Sequence, residues 1–167
     1  GHVDGIKDVR SLSSWIGTQF DPQLDWKDID WIRKRWGGKL IIKGILDAED
    51  AKMAAQTGAD AIIVSNHGGR QLDAGESSIK PLTSIAEKYG DQIEVMMDSG
   101  IRSGPDVARA LASGAKFTFM GRSFMYGVSA LGKKGGDHTI SLLKTELQQV
   151  MEQICCERVE DFPNHLI

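Results

Sequence analysis

The sequence is short of cysteine. Its 167 residues include two cysteines, Cys155 and Cys156, which are neighbours in the chain. Adjacent cysteines rarely satisfy the geometry of a disulfide, and neither has a distant partner, so no disulfide framework is expected. The simplest interpretation is a reducing, cytoplasmic compartment.

Net charge, long apolar runs and spaced metal ligands are also lacking. A net charge of −3 gives no electrostatic footprint for nucleic acid. No apolar run approaches the roughly 18 residues of a membrane-spanning helix. His2, His138 and His165 have no partners at metal-ligand spacing, so no metal site is expected. The hydrophobic share of 41% suits one globular unit with a core.

From residue 39 onward the chain repeats one pattern: a short apolar run, a polar or glycine-rich turn, and a helical segment. Such runs predict parallel strands buried on both faces. The predicted strands are 40–42, 61–64, 93–97 and 117–120, and the predicted helices are 47–57, 79–89, 103–113 and 139–156. Four βα units are half of a (β/α)8 barrel, so the predicted fold class is α/β.

Local signals support these boundaries. Asp47 is placed to cap the first of these helices, and Gly58 and Gly114 stand just past helix ends, where a left-handed residue is common. The glycine-rich stretch 132–138 is interpreted as a flexible loop. It lacks the spacing of a phosphate-binding P-loop.

Residues 1–38 form a predicted connecting segment, distinct from the half-barrel of residues 39–167. Leu12, Trp15, Ile16 and Phe20 stand at roughly helical spacing within 11–20, and residues 26–36 also predict a helix.

Polar residues and glycines follow every predicted strand. They are Lys43, "SNHGGRQLD" at 65–73, "DSGIR" at 98–102 and "GRS" at 121–123. In a (β/α)8 barrel the functional residues gather at the carboxyl ends of the strands. We therefore expect these residues to share one rim.

Two of these stretches carry a family resemblance. "LIIKGILDAEDA" followed by "IIVSNHGGRQLD" resembles the FMN-dependent (S)-2-hydroxy-acid dehydrogenases and oxidases, and the resemblance covers roughly residues 17–155. "DSGIR" and "GRSFMYG" follow at the family's spacing. The stretch "FDPQLDWKDIDWIRKRWGGKLIIKGIL" favours the bacterial L-lactate and mandelate dehydrogenase branch over the peroxisomal oxidases.

The resemblance implies oxidation of an (S)-2-hydroxy acid, which needs a base and a clamp for the carboxylate. His67 is the expected base, because imidazole exchanges protons near neutral pH. Arg70 is the expected clamp, because a guanidinium can hold a carboxylate through two parallel hydrogen bonds. The alternatives are a packed turn histidine and a surface salt bridge.

The resemblance also implies an FMN site around the same rim. Lys43 is expected beside the flavin ring, where its charge stabilises the reduced form, and Ser65 is expected to hydrogen-bond the ring. Ribityl and phosphate contacts are expected from the two later loops. The predicted cofactor-binding residues are Lys43, Ser65, Asp98, Ser99, Gly100, Arg102, Gly121 and Arg122.

Enzymes of this family are about twice as long as this chain. Their amino-terminal half adds four βα units, two substrate tyrosines and an aspartate that orients the catalytic histidine. The chain is therefore expected to need that half as a partner, or to form a homo-oligomer through its open strand edges. The apolar strip in 11–20 is expected to favour a peripheral membrane contact on the cytoplasmic face. The alternative is that this strip packs against the missing amino-terminal half.

Other functions share part of the pattern. An oxidase that uses oxygen has the same motif residues, and the substrate could be lactate, mandelate or a longer 2-hydroxy acid. A half-barrel without activity could bind only phosphate or a partner. A type 2 isopentenyl diphosphate isomerase is a further FMN barrel, but "SNHGGRQLD" argues against it.

Overall fold

The computed structural model of the protein describes residues 8–19 and 21–165. The helices are α1 Val9–Thr18, α2 Trp26–Arg35, α3 Ala48–Gln56, α4 Ile79–Tyr89, α5 Gly104–Ala112, α6 Arg122–Leu131 and α7 Gly135–Gln153. The strands are β1 Ile41–Ile45, β2 Ala61–Val64, β3 Glu94–Met97 and β4 Phe117–Thr118. Short 3-10 turns cover His67–Gly69, Gly132–Lys134 and Val159–His165.

The four strands form one parallel sheet in the order β1-β2-β3-β4. This confirms the predicted series of βα units. The two central strands are buried: all four residues of β2 are, and so are Val95, Met96 and Met97 of β3. The prediction of burial on both faces is wrong for β1 and β4, because they are the outer strands. Ile41 is 47% exposed and Phe117 is 55% exposed.

Side chains alternate between the two faces of the sheet, as the pleat of a strand requires. Ile62 and Val64 face the main core, where they meet Leu82 and Ile85 of α4. Ile63 belongs to a separate small cluster with Ala61 and Met96. The helices therefore cover one face of the sheet, and the cluster of Ala61, Ile63 and Met96 lies on the other face.

Several predicted boundaries are confirmed by the backbone. The Asp47 side chain accepts the N–H of Glu49 at the start of α3. Gly58 and Gly114 have φ values of +75° and +100° after α3 and α5. Both predicted helices near the amino terminus are present as α1 and α2, although Phe20 lies outside the described residues.

Three predictions about boundaries are wrong. The first strand does not end before Lys43, since β1 includes Lys43 and continues past an irregularity at Gly44 to Ile45. The stretch 132–138 is not a flexible loop: it is a 3-10 turn followed by the start of α7. The last long helix begins at Gly135, four residues earlier than predicted, and ends at Gln153.

The glycines in this stretch serve helix packing. Gly127 of α6 lies directly against Gly135 of α7, so a Cβ on either would overlap the backbone or side chain of the other helix. At the same contact, the Thr139 hydroxyl donates to the carbonyl of Gly135 at 2.8 Å, and both Thr139 and Gly135 are buried. Close approach of two helix backbones needs residues without side chains.

We predict that Gly127→Ala destabilises the chain. Alanine favours helix over glycine by about 1 kcal/mol, but its methyl group would overlap Thr139, and such overpacking costs about 1–3 kcal/mol. The steric cost should exceed the gain in propensity. Urea unfolding should therefore show a lower midpoint for Gly127→Ala.

Gly136→Ala is the matched control, because a Cβ on Gly136 meets nothing within 4 Å. It should unfold at the original midpoint or slightly higher. Equal midpoints for the two variants would contradict the packing role of Gly127.

Candidate active site

A cleft of about 650 Å³ opens at the carboxyl ends of the strands. Nine of the ten predicted site residues line it: Lys43, His67, Arg70, Asp98, Ser99, Gly100, Arg102, Gly121 and Arg122. The tenth, Ser65, is buried, with 1% of its surface exposed. The parallel register therefore brings residues from four strand ends to one rim, as expected.

Lys43 joins three of the predicted residues. Its ammonium lies 2.9 Å from the Ser65 hydroxyl, 3.1 Å from the Asp98 carboxylate and 3.2 Å from Nδ1 of His67. The ion pair with Asp98 spans from β1 to the end of β3, passing over the buried Ser65. Lys43 therefore links β1 to the residues that follow β2 and β3.

Asp98 is held in its charged form. Burial by itself would raise the pKa of its carboxyl group, but hydrogen bonds from Ser65, Ser99 and Lys43, together with the charge of Lys43, hold that pKa below its ordinary value. The carboxylate is therefore ionised at neutral pH, and it balances the ammonium beside it.

Ser99 connects this pair to the turn that carries His67. Its hydroxyl donates to the Asp98 carboxylate at 2.8 Å and accepts the N–H of Gly68 at 3.0 Å. Its φ of +76° is unusual for a residue with a side chain. The side chain of Ser99 is thus committed to neighbouring protein groups.

His67 is exposed in the cleft, and its backbone N–H donates to the Ser65 hydroxyl at 3.1 Å. An ammonium group can only donate, so Nδ1 of His67 accepts from Lys43. A neutral imidazole in this arrangement carries its proton on Nε2.

Gly44 is a functional candidate that the sequence analysis missed. Its φ is +102°, and a Cβ at this position would lie 2.8 Å from Nε2 of His67. Any side chain here would strike the imidazole. The available signal was a glycine inside an apolar strand pattern, which often marks a bulge or a close approach.

Arg70 and Gln71 line the cleft beyond the turn. Within residues 8–19 and 21–165, the Arg70 guanidinium has no hydrogen-bond or salt-bridge partner, and the residue is exposed. Its donors are therefore available to a ligand. A planar guanidinium of this kind suits a carboxylate.

The two helices that begin at the rim differ at their amino ends. At α5, the N–H of Gly104 donates to Glu146 of α7 at 2.7 Å, and the N–H of Arg102 donates to Asp106 at 3.1 Å. At α6, which follows Gly121, no side chain caps the first turn. Of these two amino ends, only that of α6 is open to an anion.

Arg122 stands at that open end, and Arg102 lines the same cleft. One nitrogen of Arg122 donates to the carbonyl of Gly68 at 3.1 Å, which ties this end to the His67 turn. A Cβ built on Gly100 or Gly121 meets nothing within 4 Å, so both face open space. Two guanidinium groups, free helix amides and open glycines together form a cradle suited to a phosphate.

The cleft also has an apolar side. Ile16 of α1, Phe119 and Met125 line it, and each is more than a third exposed. Ile16 was predicted only as part of a membrane-facing strip, so the structure gives this residue a second environment.

Within the described ranges, no helix is both long and apolar enough to cross a bilayer. No group of three or more histidine, cysteine or acidic side chains converges there in a way that could hold a metal ion.

Comparison with known proteins identifies the family. The profile described as FMN-dependent dehydrogenase matches residues 2–167. An L-lactate dehydrogenase of Caulobacter sp. (strain K31) is 50% identical over 151 residues, which are 90% of this chain and 39% of that protein. An L-lactate dehydrogenase of Alcaligenes faecalis is 42% identical over 167 residues, which are all of this chain and 43% of that protein.

Solved structures agree. The crystal structure of the monotopic membrane protein (S)-mandelate dehydrogenase superposes with a TM-score of 0.89 at 36% identity, covering 99% of this chain and 44% of that one. The chain thus spans about two-fifths of the length of the relatives it matches, and the predicted partial (β/α)8 barrel is confirmed. The chain belongs to the FMN-dependent dehydrogenase family.

Proposed function

We propose that this chain carries the flavin- and substrate-facing segment of an enzyme that oxidises an (S)-2-hydroxy acid, L-lactate, to its 2-oxo acid and passes the electrons to a respiratory acceptor. The observation that carries the proposal is the convergence of Lys43, His67, Arg70 and Asp98 on one cleft. The similarity to proteins named L-lactate dehydrogenase supports this substrate and favours a dehydrogenase over an oxygen-using oxidase.

The residues present fit FMN. Arg102, Arg122 and the open amino end of α6 would hold its phosphate, and Asp98 and Gly100, which line the same cleft, would contact its ribityl chain. Lys43 and Ser65 would meet the ring, and Ser99 would contribute through its backbone, because its hydroxyl is already engaged. FMN, when bound, supplies a two-electron acceptor beside the substrate.

The chain's own residues have separate tasks. Arg70 binds the substrate carboxylate, because its guanidinium is free and faces the cleft. His67 takes a proton from the substrate at Nε2. For this its ring must carry the other proton on Nδ1, next to an acceptor. The Lys43 ammonium cannot accept a hydrogen bond from Nδ1, so the acceptor must come from elsewhere, and the family resemblance assigns it to an aspartate of the barrel's other half.

Exchange of His67 for glutamine should abolish turnover while leaving FMN bound. Glutamine keeps a polar side chain of similar reach but cannot act as a base, and losing a general base costs about 10²–10⁴-fold in rate. Anaerobic stopped-flow reduction of the flavin by L-lactate in the full-length enzyme measures this step.

His138→Gln is the control, since His138 is exposed on α7 and does not line the cleft. It should reduce flavin normally. A His67→Gln enzyme whose reduction rate stays within about tenfold of wild type would remove His67 from the role of base.

Arg70→Lys should raise the Michaelis constant for L-lactate by roughly tenfold or more, because a lysine keeps the charge but loses the planar fork and a charged hydrogen bond. Steady-state kinetics measure the effect. Arg35→Lys is the control, because Arg35 stacks on Trp31 outside the cleft. An unchanged Michaelis constant for Arg70→Lys would place Arg70 outside the substrate site.

We also propose that α1 helps the full-length enzyme to attach peripherally to a membrane. Leu12, Trp15 and Ile16 are exposed on this helix, and tryptophan favours the bilayer interface. The name of the (S)-mandelate dehydrogenase relative describes a monotopic membrane protein, which supports the proposal. So short a strip would give a weak, reversible attachment.

Liposome co-sedimentation tests this attachment. Leu12→Ser with Trp15→Ser should reduce the fraction of full-length enzyme that pellets, and these residues are chosen because neither lines the cleft. Trp31→Ser, at an exposed tryptophan of α2, serves as control. Equal pelleting of all three proteins would exclude α1 from the membrane contact.

A further inference from the structure

The turn that carries His67 has a backbone that depends on outside support. His67, Gly68 and Gly69 have φ values of +55°, +70° and +70°, which makes three left-handed residues in succession. A residue with a side chain rarely adopts such an angle, and it persists only where surrounding contacts impose it. The direction of the imidazole, and of Arg70, which directly follows Gly69, therefore depends on those contacts.

Asn66 makes the most numerous of these contacts. Its Oδ1 accepts the N–H of Gly68 at 3.0 Å and the N–H of Gly69 at 3.2 Å. Its Nδ2 donates to the carbonyl of Glu76 at 3.1 Å, and its backbone N–H donates to the hydroxyl of the buried Ser78 at 2.9 Å. Asn66 thus joins the turn to the residues that lead into α4.

The same contacts decide what the amides of the turn can bind. Successive N–H groups that converge on one point form a concavity that suits an anion. Here Oδ1 of Asn66 already fills that point for Gly68 and Gly69. The substrate carboxylate is therefore left to the free guanidinium of Arg70.

We propose that Asn66 is a positioning residue, which sets the placement of His67 and Arg70 through Gly68 and Gly69. Asn66 does not line the cleft, so it acts without touching substrate or cofactor. The proposal rests on the proposed function for the roles of His67 and Arg70. The anchoring of the turn itself can be measured without any activity.

The test compares Asn66→Ala with Asn66→Asp in the full-length holoenzyme. Alanine removes both the acceptor and the donor, whereas aspartate keeps an acceptor for Gly68 and Gly69, loses the donor to Glu76 and adds a negative charge. Asn164, exposed in the last 3-10 turn, provides matched controls as Asn164→Ala and Asn164→Asp. The measurements are hydrogen exchange of the Gly68 and Gly69 amides, FMN affinity, and the rate of flavin reduction by L-lactate.

In Asn66→Ala, the two amides should exchange at least about tenfold faster, and flavin reduction should slow by about ten- to a hundredfold. FMN affinity should change by less than about twofold, because Asn66 lies outside the cleft. Asn66→Asp should retain amide protection and recover most of the reduction rate. Both Asn164 variants should match wild type.

Three results would overturn the proposal: unchanged exchange in Asn66→Ala, equal loss of rate in Asn66→Ala and Asn66→Asp, or a loss of FMN affinity that accounts for the slower reduction. If Asn66→Ala does not fold, the test rests on Asn66→Asp. Loss of protection from hydrogen exchange at the Gly68 and Gly69 amides in that variant would reject the proposal. A wild-type enzyme that no 2-hydroxy acid reduces would instead reject the proposed function, and amide exchange would still decide whether Asn66 anchors the turn.

Discussion

The arrangement of the cleft depends on the ion pair between Lys43 and Asp98. It joins β1 to the end of β3 across the buried hydroxyl of Ser65, so three consecutive βα units are tied at their carboxyl ends. A partly buried carboxylate is costly unless it is paired, and Lys43 and two serines provide that pairing. Through Ser99 the same carboxylate reaches Gly68, and through Lys43 it reaches the ring of His67.

Much of this rim could be predicted, because parallel strands bring their carboxyl ends to one edge whatever their exact limits. For this reason the sequence predicts a shared rim for Lys43, His67 and Asp98, although the predicted end of β1 is wrong. The irregularity at Gly44 lengthens the strand beyond Lys43. An apolar pattern interrupted by lysine and glycine does not distinguish a strand that ends from one that bulges.

What could not be predicted depends on contacts between distant segments. The glycines of 132–138 suggest flexibility when they are considered alone, but Gly135 is needed where α7 meets Gly127 of α6. The helix α6 itself begins without a side-chain cap, so no local signal marked its start. Asn66 was passed over because its bonds to the carbonyl of Glu76 and the hydroxyl of Ser78 reach residues 10 and 12 positions away, which no spacing rule reveals.

The contact between Glu146 and Gly104 limits where the protein can be cut. A carboxylate from the middle of α7 holds the backbone amide that follows Arg102 and Ser103, 42 residues earlier in the chain. Helix α7 thus stabilises the loop that carries Arg102 and also packs against α5. A shortened version that stops before Glu146 would expose the first turn of α5 and free the amide that this carboxylate now occupies. A hybrid or minimal segment built from this chain should therefore have its junction beyond α7.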